Sequence, residues 1–221
     1  MLSANNRAGT ERRGSAMNNT PIVFVVDDDI SVRESLELLI GHAQWRPQLF
    51  ESAQAFLAQP RPAVPSCLVL DINLPDLSGL DLQNAIAADR PMIPIIFITG
   101  YGDVPRSVRA MKAGAVEFLT KPFDDEVLLS AIADALECSR SALSREGDLR
   151  ALREAYATLT PREQEVLTMV VAGRMNKVIA AELGISEITV KAHRGKVMRK
   201  MKARSLADLV KMDAQLSLAL S

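Results

Sequence analysis

The sequence predicts an α/β unit built on a five-stranded parallel sheet, followed by an all-α unit. Short apolar runs alternate about five times with stretches of helical period between residues 21 and 138, and only helical patterns follow residue 159. The charge divides at the same place: residues 21–138 carry 8 Lys and Arg against 17 Asp and Glu, whereas residues 139–221 carry 15 against 9. A chain of 221 residues is long enough for two such cores.

Apolar runs rich in branched residues predict the strands of the first unit. These runs lie at 22–26, 67–70, 95–98 and 116–119, with a weaker strand at 47–50. Apolar residues at three- and four-residue spacing predict helices at 32–43, 79–89, 104–114 and 124–137, and a short helix at 52–58. Because parallel strands require crossover connections, this alternation predicts helices on both faces of the sheet.

Changes in composition predict the domain boundaries. We expect a disordered leader at 1–20, the α/β unit at 21–138, a partly helical linker at 139–158 and the all-α unit at 159–215. The leader lacks the apolar core of a signal peptide, and Met17 is an alternative start to Met1. No apolar run approaches about 18 residues, so we expect no membrane contact and a cytoplasmic location.

Polar side chains follow the ends of four predicted strands. They are Asp27, Asp28 and Asp29 after the first strand, Asp71 after the third, Thr99 after the fourth and Lys121 after the fifth. The carboxyl ends of parallel strands share one edge of the sheet, where ligands bind, so we expect these groups to converge. Crowded carboxylates are costly to desolvate unless a cation compensates them, and oxygen ligands suit Mg²⁺. The alternative for the acidic run is a helix cap followed by solvated first-turn charges.

Four motifs make the prediction for the first unit more specific. VFVVDDD at 23–29, LVLDINLPDLSG at 68–79, FITG at 97–100 and FLTKPF at 118–123 occur in this order. Over about residues 21–138 the chain thereby resembles the receiver domain of two-component response regulators of the FixJ/NarL type. The resemblance implies a flavodoxin-like fold and a phosphoryl group accepted from a sensor histidine kinase.

The same resemblance implies a role for the acidic residues. Asp71 matches the phospho-acceptor, a carboxylate nucleophile. Asp27 and Asp28 match residues that hold Mg²⁺ together with Asp71 and the backbone carbonyl of Asn73. Asp29 matches a variable position, and we do not expect it to be a ligand.

Three further positions match the catalytic lysine and the switch of the family. Lys121 matches the lysine that pairs with the phosphoryl group, Thr99 the hydroxyl that turns toward it, and Phe118 the aromatic residue that follows into the vacated space. Ordinary core packing is the alternative for Phe118. The implied repacking at Phe118 changes the face formed by the fourth helix, the fifth strand and the helix after it, and the helix at 104–115 lies on that face. GDV at 102–104 and MKAGAVEF at 111–118 resemble FixJ-type regulators, which use this helix to form homodimers when phosphorylated.

The second unit begins with a helix-start signal, TPRE at 160–163. Thr160 can cap a helix, Pro161 suits the first helical position, and Glu163 can reach back to the cap's amide. LGIS at 183–186 predicts a turn before a later helix that Ser186 caps. The predicted buried residues of three successive helices are Val166, Leu167, Val170 and Val171, then Ile179 and Ala180, then Val190, Val197 and Met201.

Residues 159–201 resemble the LuxR/FixJ-type helix-turn-helix, a module that covers about residues 159–215. The resemblance implies binding to double-stranded promoter DNA and contact with RNA polymerase. The basic side of the third helix, free for the major groove, carries Thr189, Lys191, Ala192 and Gly195, flanked by Arg194, Lys196 and Arg199. We expect Lys191 at a base edge, and Lys177, Arg194 and Lys196 at phosphates. A solvated helix face is the alternative for the lysines.

Two residues of the third helix raise separate questions. Glycine inside a helix costs roughly 1 kcal/mol relative to alanine, so at Gly195 either DNA approaches closely or the helix tolerates the loss. His193 is expected to pack between helices rather than to bind a metal ion, since the only other histidine, His42, lies in the first unit.

The leading hypothesis is a DNA-binding transcriptional regulator that is phosphorylated at Asp71 and is not an enzyme. A phosphatase that passes through an aspartyl phosphate is the second hypothesis. Such hydrolases usually repeat an acid two residues beyond the nucleophile, where this chain has Asn73. The third hypothesis is a constitutive DNA-binding protein whose first unit only packs and dimerises.

Overall fold

The computed structural model describes residues 20–60, 62–89, 93–100 and 104–218 of the protein. The chain forms two compact units that divide after Leu143. The predicted leader up to residue 19, including Met17, and the GD dipeptide at 102–103 lie outside the described residues.

Five parallel strands form one sheet in the first unit, in the order β2-β1-β3-β4-β5. The strands are β1 (Ile22–Val26), β2 (Arg46–Phe50), β3 (Ser66–Asp71), β4 (Ile95–Thr99) and β5 (Glu117–Thr120). The helices are α1 (Ile30–His42), α2 (Ala53–Leu57), α3 (Gly79–Asp89), α4 (Val104–Lys112) and α5 (Asp125–Ala157). The predicted flavodoxin-like sheet is confirmed, and apart from the end of α5 the predicted bounds differ by at most two residues.

The interior strand β1 shows how the sheet is covered on both faces. Phe24 and Val26 belong to one apolar cluster, whereas Val23 and Val25 belong to the other. Successive side chains of a strand point to opposite faces, and a parallel sheet with helices on both sides buries both sets. The edge strand β2 is only partly buried, which explains its weaker signal in the sequence.

Helix α5 continues well beyond the predicted end at residue 137. It extends to Ala157, so most of the expected linker at 139–158 is helical, and the boundary between the two units falls within the helix. Its second half contributes Leu152 to the core of the second unit. The apolar periodicity weakens there, but the residues are mostly good helix formers without proline, which is why the helix continues.

The second unit adds α6 (Pro161–Val171), α7 (Asn176–Leu183), α8 (Glu187–Lys200) and α9 (Leu206–Leu218). Thr160 forms a reciprocal capping box with Glu163, and Ser186 caps α8, as predicted. Of the predicted apolar residues all are buried except Val171, which is half-buried. Among the described residues, none of the helices combines the length and apolar character that a membrane span requires.

Candidate functional site

The predicted polar groups converge at one edge of the sheet. Asp27 follows β1, Asp71 closes β3, Thr99 closes β4 and Lys121 follows β5. These four strands are neighbours in the sheet and run in the same direction, so their carboxyl ends meet. We call the group formed by Asp27, Asp28, Asp71, Thr99 and Lys121 the acidic rim.

Lys121 joins the two buried carboxylates of the acidic rim. Its Nζ donates to Asp27 Oδ2 at 2.7 Å and to Asp71 Oδ2 at 2.8 Å. Its backbone N–H donates to the carbonyl of Thr99 at 2.7 Å, which fixes the lysine beside β4. Burial works against the ammonium form, but the hydrogen bonds with Asp27 and Asp71 outweigh it and raise the Lys121 pKa above its ordinary value. Lys121 therefore stays charged at neutral pH.

Asp27 is fully buried. Burial raises its pKa above the ordinary range, although hydrogen bonds from Lys121 and from the Asp29 N–H partly offset this rise. Arg33 Nη1, one turn into α1, donates to the backbone carbonyl of Asp27 at 2.7 Å. Arg33 has no signal in the sequence beyond being a basic residue shortly after the acidic run.

The three consecutive aspartates have three different environments. Asp27 is buried and Asp28 is exposed, whereas Asp29 caps α1 by accepting from the N–H of Ser31 at 2.8 Å. Oxygen atoms of Asp27, Asp28 and Asp71 all lie within 4.8 Å of one another. These three carboxylates together with the Lys121 ammonium leave two negative charges, which suits a divalent cation with oxygen ligands.

The loop after β3 orients the carboxylate of Asp71. Asp71 Oδ1 accepts from the N–H of Asn73 at 2.9 Å, and the Asn73 Nδ2 lies 3.5 Å from Thr99 Oγ1. Gly79 packs tightly against this region: a Cβ atom there would lie 2.8 Å from the Asp71 carbonyl oxygen. The start of α3 is therefore in close backbone contact with the end of β3.

Asp76 ties the same loop to α2. Its carboxylate accepts from the N–H groups of Ala53 at 3.3 Å and Gln54 at 3.0 Å. Slight burial raises the Asp76 pKa, but these backbone hydrogen bonds outweigh it and hold the pKa below its ordinary value. The contact crosses more than twenty residues of sequence, and no local pattern indicates it.

The predicted switch residue Phe118 is half-buried in β5. Its ring lies 6.4 Å from that of Phe97, at an interplanar angle of 41°. Helix α4 exposes Val108 and Met111, and the Gln83 side-chain amide of α3 donates to the α4 carbonyl of Ala110 at 3.1 Å. This region thus combines a packed aromatic pair with exposed apolar side chains.

The predicted DNA-binding residues of the second unit are mostly exposed. Lys177, Lys191, Ala192, Gly195, Lys196 and Arg199 are exposed, whereas Thr189 and Arg194 are half-buried. The Thr189 N–H donates to Ser186 Oγ at 3.1 Å, and the two hydroxyl oxygens are 2.8 Å apart. Arg194 Nη1 donates to Asn176 Oδ1 at 2.6 Å, which joins α8 to α7.

The structure describes the surroundings of both Gly195 and His193 in α8. No heavy atom of the described residues, outside its own helix turns, lies within 4 Å of a Cβ placed on Gly195, so packing does not require glycine there. His193 is half-buried, as expected of a packing residue, and its Nδ1 has no hydrogen-bond partner among the described residues.

A buried ionic contact, absent from the sequence predictions, joins α6 to α8. Lys200 Nζ lies 2.6 Å from Glu163 Oε2 and also donates to the carbonyl of Thr158 at 2.8 Å. The hydrogen bond from Lys200, with that from the Thr160 N–H, lowers the Glu163 pKa to about 2. The capping box predicted only the local half of this arrangement.

Comparison with known proteins assigns both units. The response regulator receiver domain matches residues 23–133, and the family of bacterial regulatory proteins named luxR matches residues 157–213. Nodulation protein W of Bradyrhizobium diazoefficiens is 52% identical over 198 residues, which are 90% of this chain and 87% of that protein. Transcriptional regulatory protein FixJ of Rhizobium meliloti is 45% identical over 190 residues, 86% of this chain and 93% of FixJ.

Solved structures of response regulators agree with this assignment. Response regulator StyR is similar with a TM-score of 0.80 and 47% identity, over 89% of this chain and 99% of StyR. Full-length FixJ from B. japonicum is similar with a TM-score of 0.53 and 37% identity, over 90% and 98% of the two chains. The matching family consists of transcriptional regulators and not of enzymes, which argues against the phosphatase hypothesis. The chain belongs to the two-component response regulators that join a receiver domain to a LuxR-type DNA-binding domain.

Proposed function

We propose that this transcriptional regulator is switched by transfer of a phosphoryl group from a sensor histidine kinase to Asp71. The observation that carries the proposal is the 2.8 Å contact between Asp71 Oδ2 and Lys121 Nζ, beside the second buried carboxylate, Asp27. A carboxylate can approach an anionic phosphoryl group only where positive charge lies close by. We propose that Lys121 supplies that charge.

Mg²⁺ is the proposed cofactor, because the donor set fits it. Asp27, Asp28 and Asp71 offer clustered oxygen atoms with an excess negative charge, and we propose that they hold the ion together with the backbone carbonyl of Asn73. When bound, the ion neutralises charge on the transferring phosphoryl oxygens.

The transfer forms one bond as another breaks. A P–O bond forms to Asp71 while the P–N bond to the kinase histidine breaks, and the electron pair stays with the histidine ring. The Asn73 N–H holds Asp71 Oδ1, so we expect Oδ2, the oxygen beside Lys121, to be the attacking atom. Lys121 then exchanges its contact with Asp71 for one with the new phosphoryl group.

Thr99 and Phe118 would convert phosphorylation into a change of surface. The Thr99 hydroxyl turns toward the phosphoryl group, and Phe118 moves into the space beside it. The resulting repacking changes the face of α4, where Val108 and Met111 are exposed apolar groups that a homodimer can bury. The phosphorylated homodimer is the proposed active form.

The dimer would bind double-stranded promoter DNA through α8. We expect Lys191 to reach a base edge and Lys177 and Lys196 to contact phosphates; these three residues and Arg199 are exposed. Thr189, Ala192 and Gly195 are proposed on the same DNA face. Arg194 is engaged with Asn176, so its proposed phosphate contact comes from its remaining donors. Contact with RNA polymerase and a cytoplasmic location follow from the proposed role in transcription.

The test is the intact mass of the protein after incubation with acetyl phosphate, with and without Mg²⁺. Wild type should gain one phosphoryl group only with Mg²⁺, and light scattering of the same samples should show a dimer. Asp71→Asn should gain none and remain a monomer. Asp134→Asn, which removes an exposed carboxylate on α5, is the control and should behave as wild type.

Two outcomes would contradict the proposal. Full labelling of Asp71→Asn would move the acceptor to another residue. Absence of an adduct on wild type under every condition would favour the third hypothesis, a DNA-binding protein whose first unit only packs and dimerises.

A further inference from the structure

Ile188 is an exposed aliphatic residue in a helix that otherwise buries its large apolar groups. Its side chain is 79% exposed, and it belongs to none of the apolar clusters formed by the described residues. An isoleucine left in water gives up the stabilisation that burial provides. Packing among the described residues therefore does not account for this side chain.

The helical period places Ile188 at the centre of the exposed face of α8. At about 100° per residue, Ile188, Ala192 and Gly195 fall within a sector of about 60°, and the buried Val197 lies about 180° from Ile188. Ala192 and Gly195 are exposed and have little or no side chain, so another surface can approach the helix closely. Ile188 projects from the first turn of this face.

We infer that Ile188 contacts the C5-methyl group of a thymine in the major groove of the DNA site. The inference rests on the proposed binding of DNA by α8. N-terminal residues of recognition helices reach base edges, and thymine presents a methyl group in the major groove. An aliphatic side chain has no donor or acceptor, so it selects that methyl group and no polar base edge.

Neither Thr189 nor Lys191, the neighbouring residues, is suited to contact a thymine methyl group. The Thr189 hydroxyl lies 2.8 Å from Ser186 Oγ, and its N–H donates to the same oxygen, so Thr189 is engaged in the cap of the helix. Lys191, one turn further, carries a charge suited to a guanine edge or a phosphate. The first two turns thus offer one apolar and one cationic group to the bases.

The experiment removes thymine methyl groups one at a time. The full chain, treated with acetyl phosphate and Mg²⁺, first selects its preferred duplex from a random pool. Each thymine of that duplex is then replaced by deoxyuridine, which pairs like thymine and lacks only the methyl group. We expect wild type to bind about fourfold more weakly at one such position in each half-site.

Variants assign that sensitivity to Ile188. Ile188→Ala should lose affinity for the thymine duplex and should respond to the same deoxyuridine by under about twofold, whereas Ile188→Val should keep most of the response. Leu38→Ala, which truncates a 67% exposed aliphatic residue on α1, should respond as wild type does.

The outcomes separate this inference from the proposed function. The thymine contact would be overturned if wild type bound the selected duplex equally well after every deoxyuridine replacement, or if Ile188→Ala lost as much affinity on replacement as wild type does. Both results would leave the proposed DNA binding intact. Absence of sequence-selective binding by wild type would overturn the proposed DNA-binding role and the thymine contact together.

Discussion

The acidic rim and the exposed face of α8 are built in opposite ways. At the rim, Asp27 and Asp71 are buried and both contact Lys121 within 2.8 Å. On α8, Lys191 and Lys196 are exposed. The groups of the acidic rim therefore affect folding as well as their proposed chemistry. The α8 lysines can contact a partner, and their substitution should change the stability of the fold little. Substitutions at the rim should change stability and activity together, and those on α8 should separate them.

Loss of the Lys121 charge should give the largest effect on stability. Lys121→Met leaves two buried carboxylates without their counter-charge, and we expect a loss of about 3 kcal/mol in the free energy of unfolding of the first unit. Urea unfolding followed by fluorescence of Trp45, the single tryptophan, measures this unit alone. Added Mg²⁺ should restore part of the loss, because it supplies positive charge to the same carboxylates.

Lys112→Met is the matched control for this measurement. Lys112 is exposed at the end of α4, and its substitution should change the free energy of unfolding by less than about 0.5 kcal/mol. Equal changes in the free energy of unfolding for Lys121→Met and Lys112→Met would contradict the proposed difference between the buried, paired lysine of the acidic rim and an exposed lysine.

Glu163 is a buried charge within the second unit, where the α8 lysines are exposed. Glu163→Gln should lower the free energy of unfolding of the second unit by about 2 kcal/mol at pH 7. This value already allows for screening by water, because 30% of the Lys200 side chain is exposed. Folding lowers the Glu163 pKa from 4.5 to about 2, so its contribution is complete above about pH 4.5 and disappears as the pH falls through about 2. The difference between wild type and variant, measured by ellipticity at 222 nm during unfolding, should shrink over that range.

Glu165→Gln is the control for Glu163. Glu165 contacts Arg162 at 2.7 Å on the surface, and exposed pairs of this kind contribute under about 1 kcal/mol. A difference between wild type and Glu163→Gln that stayed constant from pH 7 to pH 2 would exclude the ionic contact with Lys200 as its origin.

Gly195→Ala should have the smallest effect on stability, and in the opposite direction. A Cβ at this position meets no described atom within 4 Å beyond its own helix turns, so we expect the second unit to gain about 1 kcal/mol. If DNA approaches α8 closely, affinity for the selected duplex should fall in the same variant. Gly147→Ala in α5, where the added Cβ also meets open space, should give a similar gain without changing affinity. Unchanged affinity in Gly195→Ala would show that α8 only tolerates this glycine.

The sequence predicted what depends on strand ends and helical period. Asp27, Asp71, Thr99 and Lys121 each follow or close an apolar run, and a parallel sheet brings such positions to one edge. Val190 and Val197 were predicted on the buried side of α8 because their spacing matches the helical period. Both inferences use only the order of residues within one element and the rules for assembling elements.

The missed contacts each depend on how far one side chain reaches, and two of the three join elements far apart in sequence. Asp76 contacts the first turn of α2, more than twenty residues earlier in the sequence. Lys200 at the end of α8 contacts Glu163 in α6, with the whole of α7 between them in the sequence. Arg33 donates to the backbone carbonyl of Asp27, a contact that no pattern of residue types predicts. These contacts depend on side-chain reach in the folded protein, and the periodicity of each element contains no information about that reach.

The close contact at Gly79 has a consequence for how this protein can evolve. Every other amino acid places a Cβ there, within 2.8 Å of the Asp71 carbonyl oxygen and 2.9 Å of the Ile72 Cα. Both nearby atoms belong to the backbone, which cannot rotate away as a flexible side chain can. A missense change in this codon therefore displaces the proposed phospho-acceptor and strains the fold at once. Selection for folding alone therefore retains glycine at this position, and with it the backbone position of residue 71, even in a lineage whose kinase has been lost.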